Sequence, residues 1–128
     1  MFYHYRQNNS GGSFTFCQNR GISVHVIVEA GSAKMADERA EEIGLYFDGC
    51  ENGRDCSCCG DRWSRVYEKG NKVPSIYNSP VKAGDKFVKE KYFSKSMKEG
   101  QPEGFIHYED GRVEEFHKET KNGTGNNG

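Results

Sequence analysis

With 128 residues, the chain has room for one domain and little more. Eighteen lysines and arginines nearly balance nineteen aspartates and glutamates, leaving a net charge of -1. That excludes a surface that is one continuous nucleic-acid or anionic-membrane footprint, while leaving room for a local basic face. Hydrophobic residues make up 34% and aromatics 12%, with Leu45 the one leucine, so the core is expected to draw on Phe and Tyr. No stretch approaches the roughly 20 apolar residues of a membrane span.

The opening MFYHYRQNNSGG turns polar within six residues, so no secretory leader is expected. Phe2 to Arg6 is aromatic and favours a strand. Asn8 to Ser13 is a dense run of turn residues, after which Phe14-Thr15-Phe16 resumes an extended pattern. Ile22 to Val28 reads as a strand with Val24, Val26 and Val28 on one face. Ile27 on the other face implies cover on both sides. Ser32 is the expected N-cap of a helix over residues 32–43, whose inner stripe is Ala33, Ala36, Ala40 and Ile43. Gly44 supplies the left-handed stop.

Residues 48–61, DGCENGRDCSCCGD, cannot be regular: three Gly, three Asp and four Cys fall within fourteen positions. Arg62 to Tyr67 is expected to resume as a strand. Val73 to Tyr77 is expected as a short strand kept to a sheet edge by Pro74. Lys86 to Phe93 is extended or helical. Phe105–Tyr108 and Arg112–Phe116 flank Asp110-Gly111, the strongest hairpin signal in the chain. The whole predicts an α+β fold: a mainly antiparallel sheet of five to seven strands, one helix packed on a face, and a Cys-rich loop. Residues 1–117 form the domain and residues 118–128, which lack an apolar residue, a disordered tail.

Four of the five cysteines crowd into that loop. An odd count cannot pair completely within one chain, and such close neighbours cannot staple distant segments, so metal or redox chemistry competes with simple packing of reduced thiols. Cys56-Ser57-Cys58-Cys59-Gly60 contains C-x-x-C-G, half of a structural zinc knuckle. Cys50, Cys56, Cys58 and Cys59 are the candidate ligands of a structural zinc, with Cys17 and the four histidines as other sources of a fourth donor. A redox pair usually opens a helix that stabilises the thiolate, whereas Gly60-Asp61-Arg62-Trp63 points into a strand. Arg54, Asp55, Asp61 and Arg62 bracket the cluster. Either the arginines bind an anion, or Arg54–Asp61 and Asp55–Arg62 pairs tie the loop to itself.

Asn8, Asn9 and Ser10 open a turn that can form a backbone nest for an anion, or serve only as a connection between two aromatic strands. Tyr3, Tyr5, Trp63, Tyr67, Tyr77 and Tyr92 can stack on bases or build the core. Lys82, Lys86, Lys89, Lys91, Lys95 and Lys98 make a local basic patch. No Ser/His/Asp ordering and no paired acid–base constellation is readable, so no catalytic residue is expected.

QNNSGGSF at 7–14 and GRDCSCCGDRW at 53–63 resemble the corresponding motifs of a family of small tailed-bacteriophage proteins. The likeness covers about residues 1–80 by motif matching. It implies a viral protein expressed in the host bacterial cytoplasm, and it implies no activity. Proteins of this sort commonly help in host takeover or counter-defence. The function expected is therefore non-enzymatic binding and sequestration of a small host ligand, such as a nucleotide-type immune signal. Asn8, Asn9, Ser10, Arg54, Arg62 and Trp63 are the candidate contacts, in a pocket at a homo-oligomer interface and with no membrane partner. The alternative is a zinc-stabilised module that binds and inhibits a host defence or transcription protein. A metal-dependent nuclease or hydrolase ranks last.

Overall fold

The structure, a computed structural model, describes residues 1–9, 14–67, 69–77, 79–81 and 102–116. Strands β1 (Phe2–Arg6) and β2 (His25–Glu29) precede the helix α1 (Ala33–Ile43), and β3 (Ser75–Ile76), β4 (Ser79–Pro80), β5 (Gly104–His107) and β6 (Val113–Phe116) follow it. Four strands form one sheet in the order β1-β2-β5-β6, and β3 and β4 pair separately. The β1–β2, β5–β6 and β3–β4 ladders are antiparallel, whereas β2 and β5 run parallel, His25 facing Gly104 and Val28 facing His107. The fold is thus α+β with a mainly antiparallel sheet, as expected, the β2–β5 ladder being the parallel exception among the described residues. Among the described residues no helix is long and apolar enough to cross a membrane.

β2 explains the architecture. Its neighbours on both sides satisfy its backbone, and its side chains are buried on both faces. On one face Val26 and Val28 join Tyr3, Tyr5, Ile22, Leu45, Phe47, Trp63 and the helix residues Ala36, Ala40 and Ile43. On the other, Ile27 packs with Phe2, Ile76, Val81, Ile106 and Phe116. The alanines set α1 close against the sheet, because an Ala stripe brings the helix axis nearer than branched residues would. Ser32 caps α1 as expected, its hydroxyl accepting from the Met35 N–H at 3.2 Å, and Gly44, at φ 129°, ends it with its own N–H on Ala40 O.

Two expected strands are absent for a shared reason: side chains take backbone donors. Residues 62–67 form no strand. The Arg62 N–H goes to Asp55 Oδ2 at 2.8 Å and the Val66 N–H to Asp37 Oδ1 at 3.2 Å. Trp63 and Val66 turn into the core at a spacing no strand supports, leaving Arg65 and Tyr67 outside. Phe14–Phe16 is likewise irregular, with the Thr15 N–H donated to Gln7 Oε1. The expected strand at 73–77 contracts to Ser75–Ile76 after Pro74. The Asp110-Gly111 hairpin forms as read, with Gly111 at φ 97°. The Lys86–Phe93 segment, the lysine patch at 82–98, Tyr92 and the tail at 118–128 lie outside the described residues.

Candidate functional site

The Cys loop is irregular backbone wrapped around one carboxylate. The Asp55 side chain is 1% exposed; it accepts the Tyr46 hydroxyl at 2.6 Å and the Arg62 N–H at 2.8 Å, with Arg62 Nε at 3.9 Å. Gly49 makes room for it, since a Cβ there would overlap the Asp55 carboxylate. The Arg62 guanidinium continues inward to Gln7 Oε1 at 2.8 Å. Buried Gln7 donates in turn to the carbonyls of Thr15 and Ser23, so one amide joins four separate stretches of chain. Of the two expected ion pairs, Asp55–Arg62 is present. Asp61 instead accepts the Cys50 N–H at 2.9 Å, and the Arg54 guanidinium lies 3.9 Å over the Tyr46 ring.

The two sequence motifs meet in space. The Asn8 N–H bonds Arg62 O at 2.9 Å, and Asn8 Nδ2 donates to Cys59 O at 2.7 Å and Asp61 O at 3.2 Å. Asn8 therefore clamps the Cys loop, Asn9 is exposed beside it, and Ser10 lies outside the described residues. Arg54 is exposed, whereas Arg62 is committed to Asp55 and Gln7, and Trp63 sits in the core.

None of the five cysteines is in a disulfide, and Cys56, Cys58 and Cys59 are exposed. The Cys56 carbonyl accepts the N–H of Cys59 and of Gly60, both at 3.1 Å, and the Cys50 thiol at 3.4 Å. The Cys58 N–H, then the Cys59 thiol and N–H, hold the Cys56 thiol below its ordinary range. Burial, then the Asp61 carboxylate, push Cys50 up. Among the described residues no group of three or more His, Cys, Asp and Glu is arranged to hold a metal ion.

Two histidines form a further cluster that residue spacing did not reveal. His4 Nε2 and His25 Nδ1 lie 2.8 Å apart, with Tyr77 edge-on to both rings. Burial, then His25 and Arg6, lower His4 to about 3. Across the sheet, His107 Nε2 meets Gly21 O at 2.8 Å, and burial also lowers its pKa.

Between the end of β1 and the chain leaving the Cys loop lies a cleft of about 340 Å³, lined by His4, Tyr5, Arg6, Ser64, Arg65, Val66 and Tyr67. Tyr67 is 87% exposed, in contrast to Tyr3, Tyr5 and Trp63, all core residues. Arg65 is oriented by Asp48 at 2.9 Å and by the Phe47 ring. Arg6 is exposed at the strand end. The Tyr5 hydroxyl donates to Asp37 Oδ1 at 2.7 Å; burial, then that contact, raise its pKa far above the ordinary tyrosine range. Arg6 and Arg65 escaped the sequence reading because nothing local marks them; the fold alone brings β1 beside residues 64–67.

Residues 1–124 match the model of a family described as a domain of unknown function (DUF7296). No curated protein and no solved structure matches the chain.

Proposed function

Because the chain belongs to the DUF7296 family, whose description carries no activity, we propose a function from its own geometry: a non-enzymatic accessory protein that binds and sequesters a nucleotide-type host ligand. The observation that carries this reading is an almost fully exposed Tyr67 in the same cleft as Arg6 and Arg65. An open aromatic face suits a base, and guanidinium forks suit phosphate oxygens. A volume of about 340 Å³ lies at the small end of ligand pockets. The two groups in the cleft that could move a proton are already committed: His4 is held neutral against His25, and the Tyr5 hydroxyl is bound to Asp37. Neither is poised to move a proton at neutral pH, which supports holding over turnover.

The motif resemblance extends the reading to a tailed-bacteriophage protein acting in the host bacterial cytoplasm, in takeover of the host or in counter-defence. Calorimetry with cyclic nucleotides and ADP-ribose derivatives tests the proposal. Binding that Arg65→Ala weakens, with the nucleotide recovered intact, is the expected result. No heat with any of them, or a hydrolysed product, overturns it.

A further inference from the structure

The thiol loop carries chemistry that the cleft leaves unused. Cys56, Cys58 and Cys59 share one turn, closed by the Cys59 and Gly60 N–H groups on the Cys56 carbonyl, both at 3.1 Å, and all three side chains face solvent. From this clustering we infer that Cys56 is a nucleophilic thiol that exchanges with low-molecular-weight disulfides, and that Cys59 resolves the adduct into a disulfide within the loop.

The backbone selects the pair. A disulfide needs Cα atoms about 4.4–6.8 Å apart. Adjacent Cα atoms are only about 3.8 Å apart, which disfavours Cys58–Cys59. Cys56 and Cys59 are the ends of a turn closed by the Cys59 N–H on Cys56 O at 3.1 Å. Turn ends of this kind lie within about 7 Å of each other. Gly60, at φ 90°, lets the chain double back immediately afterwards, and Asn8 holds the Cys59 carbonyl in place. Cys50 points its thiol at the Cys56 carbonyl, and Cys17 is half-buried beside its bridge to Ile22.

The exchange balances. The Cys56 thiolate attacks one sulfur of a disulfide RSSR, forming Cys56–S–SR and releasing RS⁻, which takes a proton from solvent. The Cys59 thiol gives up its proton, attacks the Cys56 sulfur, forms the Cys56–Cys59 bond and expels the second RS⁻. The protein dithiol loses two electrons, and RSSR becomes two RSH.

The experiment uses the full chain, reduced and then freed of reductant, incubated with glutathione disulfide and followed by intact mass and peptide mapping. The wild type is expected to become lighter by two hydrogens, with a Cys56–Cys59 bridge. Cys59→Ser is expected to stop at a glutathione adduct on Cys56. Cys56→Ser is expected to react about tenfold more slowly. Circular dichroism of each variant separates lost reactivity from lost fold. Equal rates in Cys56→Ser and wild type, an adduct spread evenly over the five cysteines, a bridge through Cys50 or Cys17, or thiols blocked by a stoichiometric metal would each overturn the inference. None of these outcomes bears on the Tyr67 cleft, so the two readings fail independently.

Discussion

Asp55→Ala removes the acceptor around which the Cys loop is wound. Two hydrogen bonds to a charged group are lost, from Tyr46 at 2.6 Å and from the Arg62 N–H at 2.8 Å. Hydrogen bonds to charged acceptors contribute about 1.5–3 kcal/mol each, and leaving their partners unsatisfied adds to the loss. The Arg62 ion pair adds less, because at 3.9 Å it is long and the guanidinium keeps its bond to Gln7. The expected destabilisation is about 3 kcal/mol, which for a domain of this size lowers Tm by about 10 °C. Asp55→Asn retains one acceptor and is expected to lose about half as much. Gly49→Ala drives a methyl into the same carboxylate and is expected to match the alanine variant. Urea unfolding followed by tryptophan fluorescence reports the change directly, since Trp63 lies one residue beyond Arg62. An Asp55→Ala protein within about 0.5 kcal/mol of wild type would refute the reasoning, because that is the range of an inert surface change.

Three further outcomes are expected. Gly104→Ala places a Cβ against Phe116 and the His25 carbonyl where β5 meets β2 and β6, and is expected to lose about 1–3 kcal/mol by urea unfolding; wild-type stability would show that the strands yield. Since burial, His25 and Arg6 hold His4 down to about 3 in the folded state against 6.5 in the unfolded chain, the unfolded state takes up the proton first as pH falls. Stability is therefore full above about pH 6.5 and is lost towards about pH 3, with a slope approaching about 1.4 kcal/mol per pH unit. His4→Phe is expected to flatten that slope in pH-dependent denaturation; an unchanged slope would assign it elsewhere, beginning with His107, whose lowered pKa acts in the same direction. Tyr67→Ala is expected to weaken nucleotide binding about 5- to 100-fold by calorimetry with Tm unchanged, the loss of one stacking contact; unaltered affinity would remove the cleft from the reading.

What the chain discloses locally, the fold keeps. Ser32, the alanine spacing and Gly44 announce α1, and Asp110-Gly111 announces the last hairpin, because caps and turns depend on neighbours a few residues away. The failure at residues 62–67 is equally physical. Trp63, Arg65 and Tyr67 alternate as a strand would, yet Asp55 and Asp37 claim the N–H groups that a ladder needs. No local pattern identifies a carboxylate that waits behind a turn. The parallel partner of β2 was also illegible, since nothing near His25 specifies a strand that begins at Gly104. At the candidate site the Asn8 turn and the Cys loop were visible as motifs, but their junction was not. Trp63 looked available for stacking because its burial is decided by α1 and β1. Arg6 and Arg65 carried no signal until β1 was laid beside residues 64–67.

The pairing of β2 with β5 has a consequence for how the molecule is made. While the ribosome is still translating the middle of the chain, β1, β2 and α1 have already emerged, but the His25–Val28 edge has no neighbour until Gly104–His107 follows. An open, apolar strand edge is a template for intermolecular pairing. A nascent chain stalled before residue 104, or a truncation product ending there, is therefore the species most prone to aggregate. The late arrival of one short strand sets when this protein becomes safe to release.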